Sequence, residues 1–327
     1  MRYRTLGRTG IKVSVLCLGT MTFGWTADEE TAFAIMDAAV ENGINVIDTA
    51  DIYPRWAPGS YAGHSEEIIG RWLAKNRSLR QRLIIATKVR NPMSDDDPND
   101  QGLSRRHIIR SVEGSLRRLQ IDYIDLYQSH WYDDDTAQEE TLRAYDDLIR
   151  EGKVRAVGCS NFEAWRLMEA LWTSDRLNLA RYESLQPHYN LVHRTEFERE
   201  LQAVCLKYKL GVIPYSPLAG GFLTGKYRRG AGAPAGTRGE VSGTIKKYMA
   251  RERNYDLLEK MEQIACDRSA TIGQIALAWL LGSPAVTSAI IGANSVDQLH
   301  DSLGAADLEL TAEEWRALDE ISSWKEQ

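Results

Sequence analysis

The stretch Leu83-Ile84-Ile85-Ala86-Thr87-Lys88 is a short, mostly apolar segment that ends in a charged residue. Two other segments have the same form: Asn45-Val46-Ile47 is followed by Asp48, and Ile124-Asp125-Leu126-Tyr127-Gln128-Ser129 is followed by His130. Short runs rich in Val, Ile and Leu are typical of parallel strands that are buried on both faces. If these strands belong to one barrel, their polar ends lie together around one mouth.

Eight such segments alternate along the chain with amphipathic segments. This alternation, without a Pro/Ser-rich linker, predicts an α/β fold in which residues 1–327 form a single (β/α)8 TIM barrel domain. An open parallel sheet is the alternative, and it is disfavoured because no strand-to-helix turn carries the dinucleotide fingerprint G-x-G-x-x-G. The predicted strands are Leu16–Gly19, Asn45–Asp48, Leu83–Lys88, Ile124–His130, Val154–Cys159, Ser184–Pro187, Gly211–Tyr215 and Ser288–Gly292.

Helix-start signals precede several of the amphipathic segments. The predicted helices are Glu29–Asn42, Glu66–Lys75, Arg105–Leu119, Ala137–Glu151, Gly273–Leu281 and Val296–Leu303. Two connections, Asn91–Leu103 and Ser216–Ala250, are too long to be simple turns. With extra helices expected at Arg253–Asp267 and Thr311–Trp324, they would add to the C-terminal side of the barrel.

The composition is that of an ordinary globular protein, with 43% hydrophobic and 26% charged residues and a net charge of −6. No basic stretch alternates with aromatic residues, so nucleic acid is not expected as a partner. No apolar signal core or bilayer-spanning run is present, which predicts a cytoplasmic protein without a membrane partner. The isolated cysteines fit a reducing compartment; they are Cys17, Cys159, Cys205 and Cys266.

Tyr53, five residues after Asp48, is the best proton donor among these residues. A carbonyl that accepts a hydride must gain a proton on oxygen, but a free phenol has a pKa of about 10. An ammonium about 4 Å away contributes roughly 4 kcal/mol at an effective dielectric near 20, or about three pKa units. Lys88 is therefore expected to bring the pKa of Tyr53 close to neutrality. Asp48 would be the counter-ion of Lys88, and His130 would orient the carbonyl oxygen.

Other interpretations of the same residues are open. Each residue alone is more often a turn, a solvated strand end or a scattered histidine. Lys88 would also serve as a Schiff-base nucleophile in a barrel lyase. A metal bound by His130 with Asp133, Asp134 and Asp135 is a weaker hypothesis, because paired-His spacing is missing and acidic triplets usually form solvated loops. No metal is therefore expected.

Two later segments carry signals for a phosphate-bearing cofactor. Gly220 to Lys226 fits the pattern G-x-x-x-x-G-K, but Tyr227 stands where Ser or Thr would hold magnesium, so an ATP site is rejected. A Gly-rich basic loop would still wrap a dinucleotide diphosphate through its backbone N–H groups; a flexible surface loop is the alternative. The eighth strand ends at Gly292, just before the helix Val296–Leu303, and barrels commonly bind phosphate at these two adjacent loops.

Strand ends and loops at the mouth carry further candidates. Asn161 and Gln186 would hold a carboxamide through paired donor and acceptor contacts, and Tyr215 offers a face for stacking. Ser160 begins the pattern Ser-x-x-Glu, so a helix N-cap is its alternative role. Aromatic residues would line a pocket for an aldehyde or ketone, or would pack beneath the long loops; they are Phe23, Trp25, Trp56, Trp131 and Tyr132.

Ordered motifs over most of the chain resemble those of the aldo-keto reductases, from Arg2 to about Ile321. They are Gly19–Gly24, Asp48-Thr49-Ala50-Asp51-x-Tyr53, Thr87-Lys88, Ser115–Leu126, Gln128-Ser129-His130, Gly158–Asn161, Gln186 and Tyr215–Lys226. The pattern is similar to a bacterial branch that also resembles the potassium-channel β subunits. The resemblance implies reduction of aldehydes or ketones to alcohols, with a catalytic tetrad of Asp48, Tyr53, Lys88 and His130.

The same resemblance implies NADP(H) as cofactor, with NAD(H) as the alternative, a small carbonyl or alcohol as substrate, and a monomer. A cofactor-sensing binding module is the alternative function. Gly292 and Asn294 stand where many members place a basic residue near the 2′-phosphate. That charge would come from the long loop instead, from Lys226, Arg228, Arg229 or Arg238. Cofactor contacts are implied for Gly19, Thr20, Met21, Asp48, Ser160, Asn161, Gln186, Tyr215, Ser216, Pro217, Leu218, Gly220, Gly221, Lys226, Arg238, Gly292, Asn294, Gln298, Asp301 and Ser302.

Overall fold

A computed structural model describes residues 1–325, which form a barrel of eight parallel strands surrounded by helices. A short antiparallel hairpin, β1 (Tyr3–Thr5) and β2 (Lys12–Ser14), precedes the barrel. The barrel strands are β3 (Leu16–Gly19), β4 (Val46–Asp48), β5 (Ile84–Val89), β6 (Ile124–Ser129), β7 (Val154–Ser160), β8 (Tyr182–Gln186), β9 (Gly211–Val212) and β10 (Ala289–Gly292). Neighbours in the sheet follow chain order from β3 to β9, and β10 pairs with β3.

Backbone hydrogen bonds join the two ends of this sheet. The N–H of Thr287 donates to the carbonyl of Val212 at 2.8 Å, and the N–H of Ile290 donates to the carbonyl of Pro214 at 2.9 Å. The predicted (β/α)8 TIM barrel is therefore confirmed. The seventh barrel strand is shorter than expected and ends at Val212, although the N–H groups of Ile213 and Tyr215 still donate to the carbonyls of Leu185 and Pro187 at 2.9 Å and 3.0 Å.

The helices surround the strands and extend over the C-terminal side. They are α1 (Glu29–Glu41), α2 (His64–Lys75), α3 (Arg105–Leu119), α4 (Gln138–Arg150), α5 (Ala164–Leu177), α6 (Gln202–Tyr208), α7 (Gly243–Met249), α8 (Glu252–Arg268), α9 (Ile272–Gly282), α10 (Val296–Leu303) and α11 (Ala312–Ile321). All the predicted helices are present, including the extra helices α8 and α11, whereas α5, α6 and α7 were not predicted. Within residues 1–325, no helix has the length and apolar character needed to cross a bilayer.

The barrel interior has an apolar lower layer and a polar upper layer. The hairpin closes the bottom with Leu6 and Val13, and the strands add inward-facing residues that include Val46, Ala86 and Leu126. Side chains two residues further along a strand face the same way. Two residues after Val46, Ala86 and Leu126, the inward-facing positions are polar: Asp48, Lys88 and Gln128. The fold thus places this acid, ammonium and amide at the C-terminal end of the barrel.

Candidate active site

Acid, ammonium and phenol meet at the upper end of the barrel interior. The Nζ of Lys88 donates to Oδ1 of Asp48 at 2.5 Å and to the carbonyl of Thr49 at 2.8 Å. The same nitrogen lies 3.3 Å from the hydroxyl of Tyr53. Lys88 is 0% exposed, so these contacts take the place of water. The sequence-predicted residues Asp48, Tyr53 and Lys88 are therefore brought together.

The two pKa shifts in this cluster differ in origin. Burial alone lowers the pKa of Lys88, but the charge of Asp48 and the contacts with Asp48 and Tyr53 outweigh it, and the net pKa is raised. Burial raises the pKa of Tyr53, and Lys88 offsets this only in part. The expectation that Lys88 brings the pKa of Tyr53 close to neutrality is therefore wrong in this structure, because desolvation of the phenolate outweighs one ammonium. At neutral pH Lys88 is charged and Tyr53 retains its proton.

His130 stands beside Tyr53, with ring centroids 5.7 Å apart and the rings nearly perpendicular. Its backbone N–H donates to the carbonyl of Val89 at 2.9 Å, and its ring Nδ1 lies 2.8 Å from the side-chain amide nitrogen (Nδ2) of Asn91. Burial, Lys88 and Arg90 hold the pKa of His130 well below its ordinary value, so the ring is neutral. Because an amide nitrogen can only donate, Nδ1 accepts and the ring proton lies on Nε2. His130 can thus donate one hydrogen bond into the mouth.

Two glutamines, only one of which was a sequence-predicted site residue, hold the other oxygen of the carboxylate. The side-chain nitrogens of Gln128 and Gln186 donate to Oδ2 of Asp48 at 3.1 Å and 2.9 Å. The Asp48 carboxylate is therefore fixed by Lys88 on one side and by two amides on the other. Gln128 was missed as a site residue, although its inward position two residues after Leu126 was a usable signal.

Ser160 is the last residue of β7 and does not cap a helix. Its hydroxyl donates to the backbone carbonyl of Gln186 at 2.7 Å. The N-cap residue of α5 is Glu163, and no side-chain hydrogen bond caps this helix. The alternative role of Ser160 as an N-cap is therefore wrong, and its hydroxyl remains at the end of the barrel strands.

A stack of three rings backs the predicted nicotinamide platform. The hydroxyl of Tyr215 donates to the Asn161 side chain at 2.9 Å. The ring of His188 is stacked on Tyr215 at 5.0 Å, and His193 is stacked on His188 at 3.8 Å. Burial, with a contribution from His193, lowers the pKa of His188 to about 3, so the imidazole that backs the tyrosine is neutral. The two histidines were missed, because nothing in their sequence spacing indicates stacking.

The loops after β9 and β10 are the predicted sites for the diphosphate and adenosine ends of a dinucleotide. Gly220 and Gly221 have φ of 67° and 96°, a conformation that favours glycine, and the N–H of Gly221 donates to the carbonyl of Leu218 at 2.9 Å. Gly292 is exposed, and no atom lies within 4 Å of the position a Cβ would take there. The guanidinium of Arg238 lies 5.7 Å from the ring of Trp25, so the long loop reaches the loop after β3.

Two of the basic residues suggested for the 2′-phosphate are held elsewhere. Arg228 forms two hydrogen bonds of 3.0 Å with Glu262. Arg229 forms ion pairs with three acids of α8: Glu252, Asp256 at 2.6 Å and Glu259 at 3.2 Å. Their suggested role is not supported, because these guanidinium groups are already neutralised. Of the four basic residues suggested, Lys226 and Arg238 form no ion pair with any residue from 1 to 325.

The remaining cofactor candidates lie on the same rim. Thr20 is buried, and its hydroxyl donates to the carbonyl of Asp48 at 3.0 Å, whereas Met21 is 37% exposed. The side-chain oxygen of Asn294 accepts from Thr26 at 2.8 Å, which ties the loop after β10 to the loop after β3. The others lie at the end of β3, in the loop after β9 or on α10, and they are Gly19, Ser216, Pro217, Leu218, Gln298, Asp301 and Ser302.

The aromatic residues at the mouth divide into two groups. Trp25, Trp56 and Trp131 are 41%, 49% and 47% exposed and remain available to a substrate. Phe23 is completely buried in the hydrophobic core, so its predicted place in the substrate pocket is wrong. The loop after β3 turns back on itself through the hydrogen bond from the Phe23 N–H to the carbonyl of Thr20, which directs the ring inward.

A metal centre finds no support around His130. Asp133 accepts hydrogen bonds from the Leu103 N–H at 2.6 Å and from Thr136 at 2.7 Å. In the described part of the chain, no three His, Cys, Asp or Glu residues are grouped so as to hold a metal ion. The acidic triplet thus orders a loop.

Comparison with known proteins agrees with this geometry. The profile of the aldo/keto reductase family matches residues 15–323. An uncharacterized oxidoreductase, YrpG of Bacillus subtilis (strain 168), is 43% identical over 98% of this chain and 96% of its own length. A probable voltage-gated potassium channel subunit beta of Arabidopsis thaliana is 35% identical over 94% of this chain and 92% of its own. Protein tas of Escherichia coli (strain K12) is 36% identical over 95% of this chain and 94% of its own length.

These matches cover nearly the whole chain, including every strand end that contributes to the site. The chain therefore belongs to the aldo/keto reductase family and is an NAD(P)H-dependent oxidoreductase of that family.

Proposed function

We propose that this enzyme reduces aldehydes or ketones to alcohols with NADP(H), and that Tyr53 is the general acid. A reduced nicotinamide beside Tyr215 would supply the hydride to the carbonyl carbon. The observation that best supports the proposal is the buried contact of Lys88 with both Asp48 and Tyr53. In this arrangement the phenol keeps its proton until the carbonyl oxygen gains negative charge and can accept it.

Each neighbour of Tyr53 has a distinct role in this proposal. Lys88 stays charged, so it stabilises the phenolate that remains after proton transfer. Asp48 holds the ammonium in place. His130, neutral and with its proton on Nε2, donates a hydrogen bond that orients the carbonyl oxygen. Ser160, Asn161 and Gln186 surround the space beside Tyr215 where a carboxamide would bind.

The preference for NADP(H) rests on two basic residues. Lys226 is exposed at the end of the Gly-rich segment, and the guanidinium of Arg238 lies 5.7 Å from the ring of Trp25 in the loop after β3. Since neither is paired with a carboxylate within the described chain, both are available to a 2′-phosphate. A charge-assisted contact of this kind favours NADPH over NADH.

The lyase alternative is disfavoured by the state of Lys88. A Schiff-base lysine must be a neutral amine in order to attack a carbonyl. The pKa of Lys88 is raised, since Asp48 and Tyr53 outweigh the effect of burial. The cofactor-sensing module is the second candidate, and the similarity to a protein named as a probable potassium channel subunit favours it.

A fluorescence titration with NADPH and NADH, followed by an aldehyde panel, tests the proposal. NADPH is expected to bind at least about tenfold more tightly, as one charge-assisted hydrogen bond would provide. Lys226→Gln should reduce this ratio, whereas the matched control Arg228→Gln should not, because Arg228 is held by Glu262. Binding of NADPH without oxidation by any aldehyde would indicate the sensing module instead.

A further inference from the structure

Arg90 lies at the mouth of the barrel beside His130. In the register of β5 and β6, Val89 is paired with Ser129, so Arg90 and His130 are the next residues on the two neighbouring strands. The carbonyl of Val89 accepts from the N–H of His130, and Asn91 contacts its ring at 2.8 Å. The residues on both sides of Arg90 are therefore bonded to the imidazole-bearing residue of the site.

The backbone at Arg90 is strained. Its φ is 140°, whereas all other non-glycine residues with positive φ lie between 50° and 58°, in the left-handed helical region. A bulky side chain rarely adopts such a conformation unless the surrounding structure imposes it, and strain of this kind is concentrated at functional sites. Glycine would be the natural residue at this φ, so the arginine side chain is retained against a local preference.

The guanidinium of Arg90 forms no ion pair with residues 1–325, although its charge reaches Asp133. Other arginines near the mouth are neutralised: Arg55 is 2.5 Å from Asp95, and Arg166 is 2.9 Å from Asp134. Arg90 is half-buried, forms no ion pair with residues 1–325, and its buried Nε has no hydrogen-bond partner there. A half-buried, unsatisfied guanidinium is unfavourable unless an anion from outside the chain completes it.

The position of β5 in the barrel identifies the source of that anion. Three strands separate β5 from β9 in either direction around the ring, so Arg90 stands opposite the Gly-rich loop. The cofactor phosphates of the proposed function would lie on that opposite side. We propose that Arg90 binds an anionic group of the substrate, and that the preferred substrates are aldehydes or ketones that carry a carboxylate or a phosphate. This inference rests on the proposed function and specifies its substrate class.

The strand geometry limits the size of such a substrate. Arg90 follows Lys88 by two residues, so its Cα lies about 7 Å further towards the open end of the barrel. One aromatic ring or a short aliphatic chain between carbonyl and anion spans this separation. Trp131, next to His130 and 47% exposed, can pack against such a linker. The planar guanidinium then binds carboxylate or phosphate oxygens in a forked arrangement.

Matched aldehydes test the proposal in the NADPH-saturated enzyme: benzaldehyde, 4-carboxybenzaldehyde and 4-formylphenyl phosphate. Arg90→Gln is expected to lower kcat/KM for the better anionic aldehyde by about ten- to 100-fold, mainly through KM, as loss of a charge-assisted bond predicts. The value for benzaldehyde should fall by a smaller factor, because benzaldehyde has no anionic group for Arg90 to bind. Arg90→Lys should restore part of the preference, because it keeps the charge but not the fork. The two anionic arms distinguish carboxylate from phosphate substrates.

Two further variants separate a local effect from misfolding. Arg55→Gln removes an arginine that is already paired, and it should leave the preference unchanged. Arg90→Gly relieves the backbone strain, so it should unfold at the same or a higher temperature while losing the preference. An unchanged ratio of anionic to neutral aldehyde in both Arg90→Gln and Arg90→Gly would overturn the inference and leave the reductase function intact.

The inference can also be tested if the proposed reductase function fails. If none of the aldehydes caused the wild-type enzyme to oxidise NADPH, benzoate binding would be measured by calorimetry in the wild type and in Arg90→Gln. Weaker binding by about tenfold or more in the variant would support an anion site at Arg90. Equal affinity would overturn it.

Discussion

Lys88 and Asp51 are both 0% exposed, yet the structure treats their charges in opposite ways. The ammonium of Lys88 has three oxygen partners within 3.3 Å. Neither carboxylate oxygen of Asp51 has a hydrogen-bond partner among residues 1–325. The two residues are adjacent, since the Asp51 N–H donates to the carbonyl of Lys88 at 3.2 Å.

The difference shows two ways of burying an ionisable group. In the pair of Lys88 and Asp48, each charge is neutralised by its partner, so the reactive ionic state is kept. Behind the mouth, Asp51 lies near the buried Glu66, whose single basic partner is Arg118 at 2.7 Å. Burial first, and then the charge of Glu66, raise the pKa of Asp51 well above its ordinary value despite Arg118. We infer that Asp51 is neutral and plays no part in proton transfer.

Breaking the ion pair of Lys88 and Asp48 should have the largest effect on activity and stability. Lys88→Met removes the charge that stabilises the phenolate of Tyr53, and we expect kcat for aldehyde reduction to fall by about 100- to 10,000-fold. The variant also leaves the Asp48 carboxylate buried with only amide partners, at a cost of roughly 3 to 5 kcal/mol in the free energy of unfolding. Steady-state kinetics and urea denaturation measure the two effects separately.

The double variant Asp48→Asn/Lys88→Met is the control for this prediction. It replaces the pair by uncharged residues, so most of the lost stability should return while activity stays low. Recovery of turnover together with stability would show that Lys88 acts only on folding.

Breaking the Glu66–Arg118 pair should affect stability but not chemistry. Arg118→Met leaves the buried carboxylate of Glu66 without a base, and we expect the free energy of unfolding to fall by about 3 to 5 kcal/mol. The neighbouring Arg117 is exposed on the same helix, so Arg117→Met should change it by less than about 0.5 kcal/mol. Equal unfolding midpoints for the two variants would contradict the assigned role of Arg118.

The smallest effect should come from removing the unpaired acid. The folded state holds the proton of Asp51 more tightly than the unfolded chain, in which the pKa of an aspartate is about 3.9. The free energy of unfolding should therefore fall as pH rises from about 4 towards the raised folded value, and remain level above it. Asp51→Asn removes this dependence, and we expect it to gain about 1 kcal/mol or more at pH 7.

Urea denaturation between pH 5 and pH 8 checks this third prediction. The matched control is Asp96→Asn, because Asp96 is an exposed acid in a loop. The same dependence on pH in Asp51→Asn and in the wild type would show that Asp51 is already ionised in the folded protein over this range.

Strand periodicity was sufficient to predict the barrel and the residues of its mouth. The segments that end at Asp48, Lys88 and His130 are apolar and short, so their ends were predictable as neighbours. The contact of Lys88 with Asp48 and Tyr53 follows from that arrangement. The sign of the Tyr53 pKa shift was not predictable, because it depends on how completely the assembled barrel excludes water.

What the sequence did not reveal depends on contacts between distant segments. The stack of His188 and His193 on Tyr215 requires a turn whose shape no spacing indicates. The burial of Phe23 follows from a local reversal of the loop after β3. The neutralisation of Arg229 needs α8, and only the folded structure shows that the two lie together.

The role of Tyr53 as general acid is tested most directly by the turnover of Tyr53→Phe with NADPH and an aldehyde that the wild type reduces. We expect cofactor affinity within about twofold of the wild type and a kcat lower by about 100- to 10,000-fold, because only the proton donor is removed. Near wild-type turnover with normal NADPH binding would contradict the assignment of Tyr53 as the acid.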